Sequence, residues 1–262
     1  MIKYHLPIIL NSSTESGAIS KSSDGSSFQV NLDNGLIVPD QAKYCWLVCQ
    51  SAEIYNSSPN VKTGVNDQFR ITDGSGTLTM TIPQGLYDIP LLNEEIDRQI
   101  VASGRPTNSI VISGNNATQK TFITVLTSGT SVNFTIANSL RDLLGFQSLI
   151  LGPTVSGNVI FNSNDVASFN NIEYFILHTD LVNHGLRINN RYTQAVAQVL
   201  IDAPTGSQIL HQPQNPPEIP CNELIGNKKT LINVWLTDQN NYRVSTSGED
   251  FSFRIVIYYL MN

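Results

Sequence analysis

Leu231 to Leu260 reads LINVWLTDQNNYRVSTSGEDFSFRIVIYYL, and both halves of the stretch alternate with a period of two. In the first, Leu231, Asn233, Trp235 and Thr237 alternate with Ile232, Val234 and Leu236; in the second, Phe251, Phe253, Ile255 and Ile257 alternate with Ser252, Arg254 and Val256. β-Branched and aromatic residues at that period are the signature of strands. Between them, Asp238 to Asp250 is polar and holds little that could join a core, which predicts an antiparallel pair joined by a long exposed loop. The second strand stops two residues short of the end of the chain, so it is expected to be central and clamped rather than a frayed tail.

The same texture recurs upstream. Phe28 to Leu32 (FQVNL) alternates cleanly, and Lys43 to Tyr55 (KYCWLVCQSAEIY) is apolar on both faces, as in a strand deep in a sheet. Asn171 to Asp180 and Gln194 to Ile201 are further strands, and Ser207 to Gln212 a short one. The prolines of Pro213 to Pro220 forbid a central strand. Seven or eight such strands suffice for a two-sheet sandwich. Residues 1 to 27, with the polar run Asn11 to Ser27, read as a flexible N-terminal arm, because that run has almost no apolar side chains to offset ordering entropy.

Residues 59 to 151 differ in type. Phe69–Thr72 and Thr77–Ile82 flank the turn Asp73–Gly76, and Ile89, Leu92, Ile96 and Ile100 then recur at helical spacing, with Pro90 at the start and Gly104 at the stop. Three more strands follow near 109–112, 121–126 and 132–136, then a short helix over Ser139–Phe146 ended by Gly145. The chain therefore divides into the arm (1–27), a discontinuous sandwich (28–58 and 152–262) and an inserted α+β module (59–151). The predicted class is mainly β: a single antiparallel two-sheet sandwich with a small α+β insertion.

Composition narrows the function classes. Of 262 residues, 40% are apolar and only 14% charged, about half the usual share, which suits β-sheet with polar turns. Net charge is −6, and no Lys/Arg cluster exceeds Lys228-Lys229, so a nucleic-acid surface has no electrostatic support. No apolar run reaches membrane-spanning length and no signal segment is evident. Cys45, Cys49 and Cys221 are an odd set; Cys45 and Cys49, four apart, share a strand face too far apart to bridge, so buried reduced thiols and folding inside a cell are expected.

Candidate chemistry is sparse. His178, Asp180 and His184 could converge on a metal, yet His178 sits late in an apolar strand with His184 beyond a bend, so the three need not face one another. Cys221 follows a proline in a rigid loop, with no His or Asn partner marked for a nucleophile. Asn162–Asp165 lacks the alternation of a calcium loop. Trp46 and Trp235 lie at core-like strand positions, favouring packing anchors over sugar platforms. No phosphate loop or nucleophile elbow exists. The sequence predicts no enzyme, no catalytic, metal-binding or cofactor-binding residues, and no cofactor.

Several stretches carry a family likeness: Ile9–Gly17 (ILNSSTESG) with FQVNL, Thr81–Tyr87 (TIPQGLY) leading into a helix, Leu140–Phe146 (LRDLLGF), and above all Ile232–Val244 (INVWLTDQNNYRV) followed by Gly248–Ile257 (GEDFSFRIVI). In these the chain resembles the penton, or minor capsid, proteins of virophages and Polinton-type virus-like elements. The resemblance implies a jelly roll, homopentameric rings at icosahedral vertices, the major capsid protein as partner, and residence in the virion after synthesis and assembly inside the host cell. A host surface ligand is a further conceivable partner. The competing class is a receptor- or glycan-binding spike module, but the heptads or short repeats of a fibrous spike are missing.

Overall fold

The computed structural model describes residues 2–170 and 172–261. In chain order its elements begin with β1 (Ile2–Asn11), β2 (Ala18–Lys21), β3 (Ser27–Ile37) and β4 (Tyr44–Tyr55). Next come β5 (Gln68–Asp73), β6 (Gly76–Thr81), α1 (Ile89–Ala102), β7 (Ile110–Asn115), β8 (Lys120–Val125), β9 (Ser131–Asn133), α2 (Arg141–Leu144), β10 (Ile150–Leu151) and β11 (Val159–Asn162). The chain continues with β12 (Tyr174–Thr179), β13 (Arg187–Ile188), β14 (Arg191–Tyr192), β15 (Ala195–Leu200), β16 (Gln208–His211), β17 (Ile219–Pro220), β18 (Lys228–Thr237) and β19 (Ser252–Met261). Two compact units result: Met1–Ser58 with Ile172–Asn262, and Pro59–Asn171.

The first unit is a sandwich of two antiparallel sheets. One runs β1-β19-β4-β16, with β17 also on β4; the other runs β15-β12-β18-β3-β2. With the β2–β3 hairpin counted as one position, the eight long strands fall in the order 1-8-3-6 and 2-7-4-5, the arrangement of a jelly roll. Every link between successive long strands except β12 to β15 crosses from one sheet to the other. The core follows the pleat: Phe253, Ile255 and Ile257 of β19 face Leu177, Val234 and Leu236 of the other sheet's strands in one buried cluster. On β4, the inward set is Cys45, Leu47 and Cys49, then Ala52 and Ile54. The shift in parity is a bulge, where β4 spends an extra residue between the pairs Cys49–Ile255 and Ser51–Arg254. That bulge keeps twelve residues of β4 against one core.

Four expectations change. The stretch 231–260 is not a hairpin: β18 pairs with β3 and β12, β19 with β1 and β4, so its two strands lie in opposite sheets. Nor is the connection only a solvent loop, because Val244 is buried in the core while its N–H donates to the Leu236 carbonyl at 3.3 Å. The described residues of the expected arm, 2–27, are not flexible. β1 pairs with β19 from Ile2 to Asn11, and β2 pairs with β3. The polar run that suggested disorder holds the turn after β1, β2 itself and the turn into β3, and in the first turn the Ser12 hydroxyl donates to Asp250 (2.9 Å) and accepts from the Phe251 N–H (2.9 Å). Finally, the compact units part at 171/172 rather than at 151/152, since β11 pairs with β8 inside the second unit.

The second unit holds the sheets β10-β9-β5-β6 and β11-β8-β7 with α1. α1 starts where the Asp88 carboxylate accepts from the Leu91 N–H (2.9 Å), with Pro90 in its first turn, and it buries Leu92, Ile96 and Ile100. Asn93 substitutes for a missing strand along the edge of β7: its amide donates to the Ile112 carbonyl (2.7 Å) and accepts from the Ile112 N–H (2.8 Å). α2 ends at Gly145 with φ 75°, where an added Cβ would lie 2.3 Å from the Asp165 carbonyl oxygen. Only glycine fits there.

Candidate functional site

The residues singled out for chemistry do not converge. His178 stands on the outer face of the second sheet, stacked on Trp235 at 5.2 Å and 1° between planes, with Nε2 2.8 Å from the Thr237 hydroxyl. Burial, helped by the nearby Arg243 charge, lowers its pKa to about 4, so the imidazole is neutral at pH 7. Asp180 belongs to a neighbouring network in which it accepts from the Asn233 backbone (3.0 Å) and amide (2.6 Å) and pairs with Lys229 at 3.0 Å. His184 packs edge-on against Tyr192. Among the described residues no group of three His, Cys, Asp or Glu side chains is arranged to hold a metal. At 162–165 the Lys120 ammonium donates to the Asn164 carbonyl at 2.7 Å, placing a fixed cation where a calcium ion would need that oxygen. Cys221 is buried, with its sulfur against that of Cys45.

Neither tryptophan is a core anchor. Pleating turns Trp46 and Trp235 to the outer faces of their sheets, because Cys45 and Leu47 on β4, and Val234 and Leu236 on β18, are the residues that enter the core. Trp46 stacks on Tyr258 at 5.6 Å with the Lys3 ammonium over both rings. Trp235 lies between His178, from β12 on one side of β18, and Arg243, whose guanidinium sits 5.0 Å from the ring. A groove of 390 Å³ beside it is lined by Lys21, Gln29, Asn233 and Arg243. A sugar needs an open ring face, and these neighbours cover the indole.

What the sandwich does present is two unlike flanks. On one side the sheets end in β1 and β2, joined by the short turn at Thr14–Ser16; on the other they end in β15 and β16. The first flank exposes Ile2, Tyr4, Ile9 (71%) and Ile19, and Tyr4 stacks on Tyr259 at 5.3 Å. The second exposes Leu200 (62%) and Leu210 (60%) around a hollow of 350 Å³, shared with Asp202, His211 and Pro213. Large apolar side chains grouped on sheet edges mark contact surfaces, and edge strands keep backbone groups free for a partner. Sequence reading took β1 for part of an arm, and nothing local revealed it as an edge strand paired with β19.

Fold and surface together define a jelly-roll sandwich with an α+β insertion between its third and fourth long strands. Among the described residues, no helix is long and apolar enough to cross a membrane. No protein-family model and no curated protein matches the sequence. Among solved structures the chain is similar to the SeMet-labelled mavirus penton protein, at 12% identity and a TM-score of 0.48, covering 99% of this chain and 100% of that one.

Proposed function

We propose that this chain is a structural protein of a viral capsid, a minor capsid protein whose five copies close a ring at each icosahedral vertex and contact the surrounding major capsid protein in the virion. The observation that carries the reading is the pair of dissimilar flanks. A closed ring is heterologous: each subunit must offer one patch to the neighbour on its left and a different one to the neighbour on its right. A jelly roll with exposed apolar residues on both ending edges supplies that pair of patches, Ile2, Tyr4, Ile9 and Ile19 against Leu200 and Leu210. The stretches that resemble penton proteins support it further. Ile9–Gly17, FQVNL, INVWLTDQNNYRV and GEDFSFRIVI fall on or beside β1, β3, β18 and β19, of which β1 pairs with β19 and β3 with β18. An acidic chain also suits a shell component that does not hold genome by charge.

Native mass measurement of the assembled protein, joined with particle reconstruction, tests the proposal. A species of five 28.8 kDa chains and five-fold density at the vertices is expected. A trimer with no five-fold density would overturn it.

A further inference from the structure

We propose that Cys45 and Cys221 form a disulfide when the protein passes from a reducing to an oxidising medium, stapling β4 to the segment that leads into β18. The inference does not depend on the capsid reading.

The geometry is that of two cross-strand neighbours. β17 pairs with β4 through Ile219–Leu47 and Pro220–Trp46, and one more step in this register sets Cys221 opposite Cys45. The Cys221 N–H donates to the Cys45 carbonyl at 2.9 Å, and the Cys45 N–H donates to the Asn222 side-chain oxygen at 2.8 Å. Directly opposed antiparallel residues have Cα atoms about 4.5–5.5 Å apart, inside the range that disulfides span. The two sulfurs already stand 3.3 Å apart, so a bond of about 2.05 Å requires each side chain to turn by only a fraction of a rotamer. Cys49 is the internal control: it lies on the same strand, buried, and its sulfur neighbour is the Ser51 carbonyl oxygen at 3.7 Å.

The same site explains why the bond would be slow to form. The hydrogen bond between the two thiols, and their burial, push the Cys221 thiol well above its ordinary value, so little thiolate is available while the sandwich is closed. With oxidised glutathione as oxidant, one thiolate attacks a glutathione sulfur, breaks its S–S bond and releases one glutathione. The second protein thiol then attacks the protein sulfur of that mixed disulfide and releases the other glutathione. Two protein thiols are oxidised and one glutathione disulfide is reduced to two thiols, which take up the two protons. The first step needs local opening.

The test incubates the intact reduced chain with oxidised glutathione a few degrees below its melting temperature, where opening admits the oxidant. The protein is then denatured, labelled with N-ethylmaleimide and weighed. One label, on Cys49, is expected instead of three, together with a cross-linked peptide joining Cys45 and Cys221. Cys49→Ser should give no label and the same cross-link, while Cys221→Ser should give none of that cross-link. Because the bridge closes a long loop, the oxidised chain should also melt several degrees higher than the same sample kept in dithiothreitol. Three labels, glutathione adducts without a cross-link, a bridge involving Cys49, or an unraised melting temperature would each overturn the proposal.

Discussion

His178 shows how a residue that looks chemical in sequence becomes structural in the fold. On β12 its ring is held between strands, flat against Trp235 and within hydrogen-bond distance of Thr237, and burial with Arg243 nearby lowers its pKa from 6.5 to about 4. Between those values the unfolded chain takes up a proton that the folded chain refuses. The stability due to the neutral ring is therefore complete above pH 6.5 and falls as the pH drops towards 4, by roughly 3 kcal/mol in all. Urea unfolding of wild type and His178→Gln at pH 7.5 and pH 4.5 measures this: the wild type should lose more stability between the two than the variant, by an amount of that order. Equal losses would show that the ring titrates normally.

Strands and helices differ in how much of their placement is local. α1 was legible because its determinants lie inside the helix itself or beside it in sequence: Leu92, Ile96 and Ile100 about one turn apart, Pro90 at the start and a glycine after the end. Only its cap, Asp88, went unread, and Asp88→Ala should cost the second unit about 1 kcal/mol, visible as a lowered melting temperature. β1 is the opposite case. Its partner, β19, lies at the far end of the chain, paired from Ile2–Met261 to Asn11–Ser252. Deleting residues 1–11 should therefore not act like trimming a loose arm. It removes Leu10 and the partly buried Leu6 and Ile8 from the core, strips β19 of a neighbour, and is expected to lower stability by several kcal/mol or leave an aggregating protein, checked by denaturant unfolding of the truncated chain. An unchanged midpoint would return β1 to the status of a tail.

At the scale of the whole molecule, the proposed ring would bring the two flanks of the sandwich into contact between copies. Ile9→Asp on one flank or Leu210→Asp on the other should each convert the pentamer into single chains, while far-UV circular dichroism and the melting temperature stay close to wild type, because both side chains are exposed in the isolated chain. If both variants still assemble by light scattering, the ring uses other surfaces. The dissociation expected is large, since a buried unpaired carboxylate at an interface costs several kcal/mol per contact.

The sequence by itself determined where α1 and the central strands β3, β4, β12, β15, β18 and β19 lie, though not β1, β2 or β11, that the module beginning after Ser58 is of a different type, and that the prolines of 213–220 keep that segment from a central place in a sheet. A period of two specifies two faces of a strand and nothing more. It cannot say which sheet the strand joins, and so 231–260 reads as a hairpin although β18 and β19 belong to opposite sheets. It cannot say which face turns inward when both are apolar, and so Trp46 and Trp235 read as core residues until pleating turned them outward. Partner choice was decided by the tertiary structure because closing a longer loop costs little more than closing a shorter one, so packing across the whole chain outweighs nearness in sequence. The same long-range choice set Cys221 against Cys45 and left β1, β2, β15 and β16 as the edges on which assembly is proposed to rest.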